Sequence, residues 1–337
     1  MRAFLLGMIV VLAAHTVIGR LGLFQSAEVA GPDPGSPPAA VLAQTQSSWV
    51  DLAPLQEARQ EVAVAALDGR IYVVGGFRDG GGTVSTVEVY DPTTNSWQIA
   101  APLPIAVNHA VAATVGNTLY VFGGHPPSGP EAVDNVFAYD AVTNTWSARA
   151  PMPTARGALA VAVVDGKVYA AGGSPGPREF DFAVYDPSLD AWTTLPSMPT
   201  PRNHLAAAGL NGKVYVAGGR SGDIGGITSI LEEYDPVTNT WTQRTAMPTA
   251  RGGIAAAPAS GVVFVFGGEG NRRHPQGIFD QVEAYDPASD SWQIYPPMAV
   301  PRHGISAATL GNRIYIPGGA TVEGFGVIAT NQALQLD

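Results

Sequence analysis

The hydrophobic positions of this chain fall into short runs, not long amphipathic stretches. Small, Ala-rich runs such as Val62 to Leu67, Ala110 to Val115, Leu159 to Val164 and Leu205 to Leu210 are followed by β-branched and aromatic runs such as Arg70 to Val74 and Thr118 to Phe122. Runs of this length and residue type predict strands. The two runs of a pair are joined by Asp68-Gly69, Gly116-Asn117, Asp165-Gly166, Asn211-Gly212 or Gly311-Asn312, residues that tolerate the left-handed backbone of two-residue hairpin turns. A third run ends in Tyr-Asp and a fourth carries Trp. Between these lie turns such as Asp91-Pro92-Thr93-Thr94-Asn95 and Asp235-Pro236-Val237-Thr238-Asn239, in which Pro fixes φ and Asn tolerates a left-handed conformation.

The pattern repeats. All 6 tryptophans (Trp49, Trp97, Trp146, Trp192, Trp241 and Trp292) occupy one repeat position. The second glycine of a Gly-Gly pair follows each at a constant distance, at Gly76, Gly124, Gly173, Gly219, Gly268 and Gly319. Tyr90, Tyr139, Tyr185, Tyr234 and Tyr285 precede the next Trp at another constant distance, so the length variation falls between Gly-Gly and Tyr-Asp. Four-strand units repeated radially predict an all-β, six-bladed β-propeller of four-stranded antiparallel blades, with Ala and Gly on the crowded innermost strands. Trp49 to Leu52 has no Tyr-Asp before it, and Leu336-Asp337 aligns with Tyr-Asp but has no Trp strand after it. The register therefore predicts that the N-terminal strand completes the last blade.

The double Gly and the spaced Tyr and Trp resemble the kelch repeat from Trp49 to Asp337, a span that gives the domain as 49–337. The resemblance implies the same propeller. It also implies that some relatives bind acidic peptides through arginines at the blade starts. Kelch-fold copper oxidases are excluded, because they need a cysteine crosslinked to tyrosine and the chain has 0 Cys. Disulfides and thiolate metal sites are excluded with them.

Ahead of the repeats, Arg2 and the apolar run from Ala3 to Ala14, extended through Thr16, Val17 and Ile18, read as a signal peptide or signal anchor over residues 1–24. Residues 25–48, rich in Pro, Ala and Ser, read as a linker. This arrangement predicts an extracytoplasmic propeller, secreted, periplasmic or membrane-anchored through its N-terminal segment. A formal net charge of -10 and only two lysines, Lys167 and Lys213, argue against nucleic acid as a partner.

Strand alternation puts the variable connections, 77–84, 125–133, 174–181, 220–229, 269–280 and 320–329, on one face. That face is predicted to recognise a protein or glycan ligand, with the chain acting as a monomeric binding module and not as an enzyme. Candidate ligand-binding residues are Arg59, Arg156, Arg202, Arg251 and Arg302, which recur ten residues after the Trp in every unit except the one with Val107. They could form a ring of guanidinium groups gripping carboxylates, or could instead tie the blades together. Two residues further on stand Glu61, His109 and His204, with Ala158, Gly253 and Gly304 as their equivalents. Two His and one Glu are metal-ligand types. However, the blade of His204 lies across the channel from the other two, so the expectation is a wet channel mouth with no metal and no cofactor. His303, one residue out of register, is expected to point away. The alternative is a sugar-modifying enzyme similar to periplasmic sialic-acid mutarotases, for which Glu131, Glu269, His274 and Glu323 on the variable loops are the candidate acid–base groups.

Overall fold

The computed structural model describes residues 47–127, 131–176 and 179–337. The candidate export segment and all but the last two residues of the predicted linker lie outside the described residues. Among the described residues, no helix is long and apolar enough to cross a membrane.

Six four-stranded antiparallel sheets follow one another along the chain. In blade 1 the strands are Ala63–Leu67, Arg70–Val74, Val87–Asp91 and Ser96–Ile99, from the axis outward. Blades 2 to 5 repeat this order, with innermost strands Val111–Val115, Ala160–Val164, Ala206–Leu210 and Ala255–Ala259. Blade 6 consists of Ala308–Leu310, Arg313–Pro317, Asn331–Gln335 and, outermost, the N-terminal strand Ser48–Leu52. That N-terminal strand runs antiparallel to Asn331–Gln335, with Trp49 opposite Leu334. The innermost strands of blades 1 to 4 begin one residue later than the hydrophobic pattern predicts, because the left-handed residue before them delays regular pairing by one position.

The core lies between the blades and is divided among them. Along Arg70–Val74, Tyr72 and Val74 pack toward blade 2 while Ile71 and Val73 pack toward blade 6, so the two faces of one strand serve two interfaces. Each interface is such a two-blade cluster; that between blades 5 and 6, for example, joins Phe264, Phe266 and Met298 to Ile314, Ile316 and Leu334.

Three recurring hydrogen bonds explain the conserved spacing within the repeat. The Trp Nε1 of each blade donates to a carbonyl on the segment leading in from the preceding blade: Trp97 to Ala53 at 2.7 Å, Trp146 to Ala101 at 2.9 Å and Trp49 to Pro296 at 3.1 Å. Each Tyr of Tyr-Asp donates its hydroxyl to the left-handed residue of the next turn, as in Tyr90 to Asn95 and Tyr139 to Asn144, both at 2.7 Å. The second Gly of each pair donates its backbone N–H to the carbonyl at the Arg position of the following blade. The bond from Gly124 to Arg156 is 2.9 Å, and that from Gly319 to Arg59, at 2.8 Å, closes the circle. The first Gly has no room for a side chain: a Cβ on Gly123 (φ +61) would collide with that same Arg156 carbonyl.

Candidate functional site

The arginines do not line the channel. Arg59, Arg156, Arg202, Arg251 and Arg302 are each 0% exposed, and their guanidinium groups lie inside their own blades. Nη1 of Arg202 donates to the carbonyls of Gly218 (2.8 Å) and Ile230 (3.0 Å), and Nη2 binds Glu232 at 2.6 Å. Arg59 pairs with Glu88, Arg251 with Glu283 and Arg302 with Gln332, while Arg156 holds the carbonyls of Gly172 and Asp181. The ligand-gripping ring is therefore corrected to a set of internal ties that fasten the root of each variable loop. Burial lowers the pKa of Arg59, Arg202, Arg251 and Arg302. The effect takes Arg302, which faces an amide instead of a carboxylate, down to about 9. Blade 2 shows the same position built without charge, with Val107 in place of the arginine and Phe137 at the position of Glu232.

The residues two positions further on do reach the channel. Glu61, His109, Ala158, His204, Gly253 and Gly304 all have left-handed backbone, with φ between +49 and +64. They form a closed circle of backbone hydrogen bonds: each N–H donates to the carbonyl of its equivalent in the preceding blade, and the bond from Glu61 to Gly304, at 2.7 Å, completes the ring. Non-glycine residues here cost on the order of 1 kcal/mol each in backbone strain, and at two of the six positions the chain avoids that cost with Gly.

This circle draws the side chains onto the axis. One ligand atom from each of Glu61, His109 and His204 lies within 4.8 Å of the other two, which corrects the expectation that blade 4 stands too far across the channel. Oε2 of Glu61 is 3.4 Å from Nε2 of His109, and the His109 and His204 rings meet edge to face at 5.0 Å. His303 is likewise corrected. It is buried, its Nε2 lies 2.8 Å from the Val322 carbonyl, and its Nδ1 lies 3.3 Å from Glu269 and 3.9 Å from Glu61.

A second tier comes from the first residue after each Gly-Gly, which pairs with the residue preceding the left-handed position: Asn108 with His125, Gly157 with Ser174, Asn203 with Arg220 and Gly252 with Glu269. This pairing brings Arg220 into the site, where Nη1 binds Glu269 at 2.6 Å and Nη2 donates to Nε2 of His204 at 3.0 Å. Sequence reasoning missed Arg220, Asn108 and Asn203. Their signal was available in the constant offset of these positions from Gly-Gly and from the Arg.

The hydrogen-bond network fixes the imidazoles. Nδ1 of His204 lies 2.6 Å from Oδ1 of Asn203, and Nδ1 of His109 is held in the same way by Asn108. Both amides are oriented by their own donors, Asn203 toward Glu179 and Asn108 toward Thr83. The proton of each ring therefore sits on Nδ1, leaving the Nε2 lone pair facing the channel. Burial, reinforced by Arg220, lowers His109 to about 4, and burial likewise lowers His204 well below its ordinary value. Burial raises Glu61 to about 7.

The mouth encloses a cavity of about 110 Å³. Beside it a wider cleft of about 410 Å³ runs between the loops of blades 4 to 6, lined by Arg272, His274 and Glu323 among others. Glu269 is buried against Arg220, and Glu131 is exposed in the blade 2 loop. Phe180, Val322 and Phe325 are exposed large hydrophobics on the loop face, and Phe77 stacks edge-on against both Phe325 and His109. Val142, Leu189 and Val237 are exposed on the opposite turns, one on each of blades 2, 3 and 4.

The sequence matches the family described as "KLHDC2/KLHL20/DRC7 Kelch-repeats domain" over residues 41–198 and 194–319. It is 39% identical over 67 residues to Kelch-like protein terF of Aspergillus terreus, a stretch covering 20% of this chain and 15% of that protein. It is 41% identical over 46 residues to human Kelch-like protein 4, covering 14% of this chain and 6% of that protein. The matched stretches thus span a small part of these relatives' lengths. Among solved structures, the one described as "Structure of YjhT" shares the fold with a TM-score of 0.70 at 18% identity, covering 83% of this chain and 95% of that one.

Proposed function

This chain belongs to the kelch-repeat family, and on that premise we propose that it is an exported interaction module that docks a protein or glycan partner on the loop face above the channel mouth. The observation that carries this reading is the asymmetry between the two faces. The loop side combines a polar mouth, a cleft of about 410 Å³ and the exposed Phe180, Val322 and Phe325. The turn side has a channel opening of about 270 Å³ lined by small residues of the innermost strands, with single Val142, Leu189 and Val237 side chains on separate corners and no comparable cluster of titratable groups among the described residues lining it. Apolar anchors around a polar centre are the surface a partner segment needs. Export rests on the apolar run after Arg2.

A display screen of random peptides, run beside a glycan array with the whole chain as probe, tests the proposal. Binders whose affinity falls at least tenfold with Phe325→Ala or Glu323→Ala, and is unchanged by Val237→Lys, support it. Binders that respond only to Val237→Lys overturn it.

One observation favours a second reading, a sugar-modifying enzyme of mutarotase type. A carboxyl raised to about 7 stands at the channel mouth 3.4 Å from an imidazole nitrogen, and a carboxyl so placed can take or give a proton near neutral pH. Interconversion of sialic acid anomers followed by NMR, faster with the protein than without it and lost in Glu61→Gln, would establish this reading in place of the first.

A further inference from the structure

Two blades carry the same doublet at the channel mouth, Asn108-His109 and Asn203-His204, where the other blades have Gln60-Glu61, Gly157-Ala158, Gly252-Gly253 and His303-Gly304. Each Asn fixes its neighbour's ring by accepting from Nδ1, and each is itself locked, Asn108 through Thr83 and the His125 carbonyl, Asn203 through Glu179 and the Gly222 carbonyl. An imidazole held at one nitrogen by a fixed oxygen, with the lone pair of the other nitrogen turned to the channel, is the arrangement that orients metal ligands. Nε2 of His109 lies 3.4 Å from the Glu61 carboxylate, and one ring nitrogen of each histidine lies within 4.8 Å of one Glu61 oxygen. A lone pair 3.4 Å from a carboxylate oxygen is repulsive unless a cation or proton lies between them.

We infer that Glu61, His109 and His204 form a binding site for one divalent ion of the zinc class at the channel mouth, with an open coordination position toward the loop face. In a tetrahedral site with bonds of about 2.0–2.1 Å, ligand atoms stand roughly 3.3 Å apart. The Glu61–His109 separation already meets this at 3.4 Å, and all three atoms lie within 4.8 Å, so closing the site needs no approach greater than about 1.5 Å. The three ligands ride on the closed backbone circle, which fixes their Cα positions. Two nitrogens and one oxygen suit zinc, cobalt or nickel better than magnesium or calcium.

Arg220 holds the place of the ion in its absence. Its Nη2 donates to the same Nε2 of His204 at 3.0 Å, while Nη1 remains bound to Glu269 at 2.6 Å. A metal entering the site displaces Nη2 and leaves the Arg220–Glu269 pair intact. Three protein ligands leave the ion a fourth position for water or for an oxygen of a bound partner.

Calorimetric titration of chelator-treated full-length protein with Zn²⁺ is expected to give one site per chain, weakened at least 100-fold in His109→Ala/His204→Ala. Equal one-to-one affinity in a folded double variant overturns the proposal. Cobalt titration of the unmutated chain provides a readout independent of folding defects. Intense four-coordinate visible bands, abolished by one equivalent of Zn²⁺ and insensitive to excess Mg²⁺, are expected; no bands, or only the weak spectrum of hexaaqua cobalt, overturn it.

Discussion

If the blade-start arginines are internal ties, the Arg202–Glu232 pair should behave as a buried ion pair. Arg202 is 0% and Glu232 3% exposed at the side chain, and they meet at 2.6 Å. Arg202→Met leaves Glu232 buried with the Thr200 hydroxyl as its remaining donor and removes the donor to two carbonyls. Breaking a buried pair from one side costs about 3–5 kcal/mol, which for a domain of this size lowers the melting temperature by roughly 6–10 °C. Glu232→Gln should cost much less, about 1 kcal/mol, because blade 6 already pairs Arg302 with Gln332. Arg202→Met/Glu232→Leu should recover at least half the loss of Arg202→Met, since blade 2 works with Val107 and Phe137. Denaturant unfolding of Arg202→Met, Glu232→Leu and Arg202→Met/Glu232→Leu forms a double-mutant cycle, with an expected coupling of about 2 kcal/mol or more. A loss below about 1 kcal/mol for Arg202→Met, together with lost ligand binding, would refute the structural role and restore the guanidinium ring as a binding surface.

Three further outcomes follow from the same geometry. Deleting Trp49 to Pro54 removes the strand opposite Asn331–Gln335 and should lower the melting temperature by more than about 10 °C; an unchanged calorimetric trace would show that this strand does not hold the ring closed. Gly123→Ala, which meets the Arg156 carbonyl at φ +61, should cost roughly 2–4 kcal/mol by chemical denaturation. Glu61 keeps its proton up to about 7 in the folded chain, whereas unfolding restores an ordinary carboxyl near 4.5, so its contribution to stability falls as pH rises between those values. Glu61→Gln should therefore gain stability over the parent from pH 5 to pH 8, by up to about 3 kcal/mol in chelator; a constant difference across that range would contradict the buried carboxyl.

The blade architecture was legible because its determinants are local and repeated. Trp, Tyr-Asp and Gly-Gly each make one hydrogen bond whose partner occupies a fixed position of the repeat, so spacing alone revealed them. The arginines were harder to place. Ten residues after Trp locates a backbone position, but whether a guanidinium turns to the channel or into the blade depends on residue 88, 232, 283 or 332, far away in sequence and informative only when the units are laid side by side. The site required more still. Glu61, His109 and His204 were visible as equivalent positions, whereas their approach depends on how narrow the hydrogen-bonded circle is, and no single strand encodes that width. His303 was expected to point outward by period-two alternation, but the left-handed residue beside it breaks the alternation and folds its ring under the loop of blade 6.

The claim on which the functional reading rests is that partners meet the loop face over the channel mouth. Hydrogen–deuterium exchange of the whole chain, with and without a binder from the unbiased screen, tests this directly. Protection concentrated in residues 77–84, 220–229, 269–280 and 320–329 is the predicted footprint, and protection confined to the turns at 91–95, 140–144 and 235–239 would contradict it.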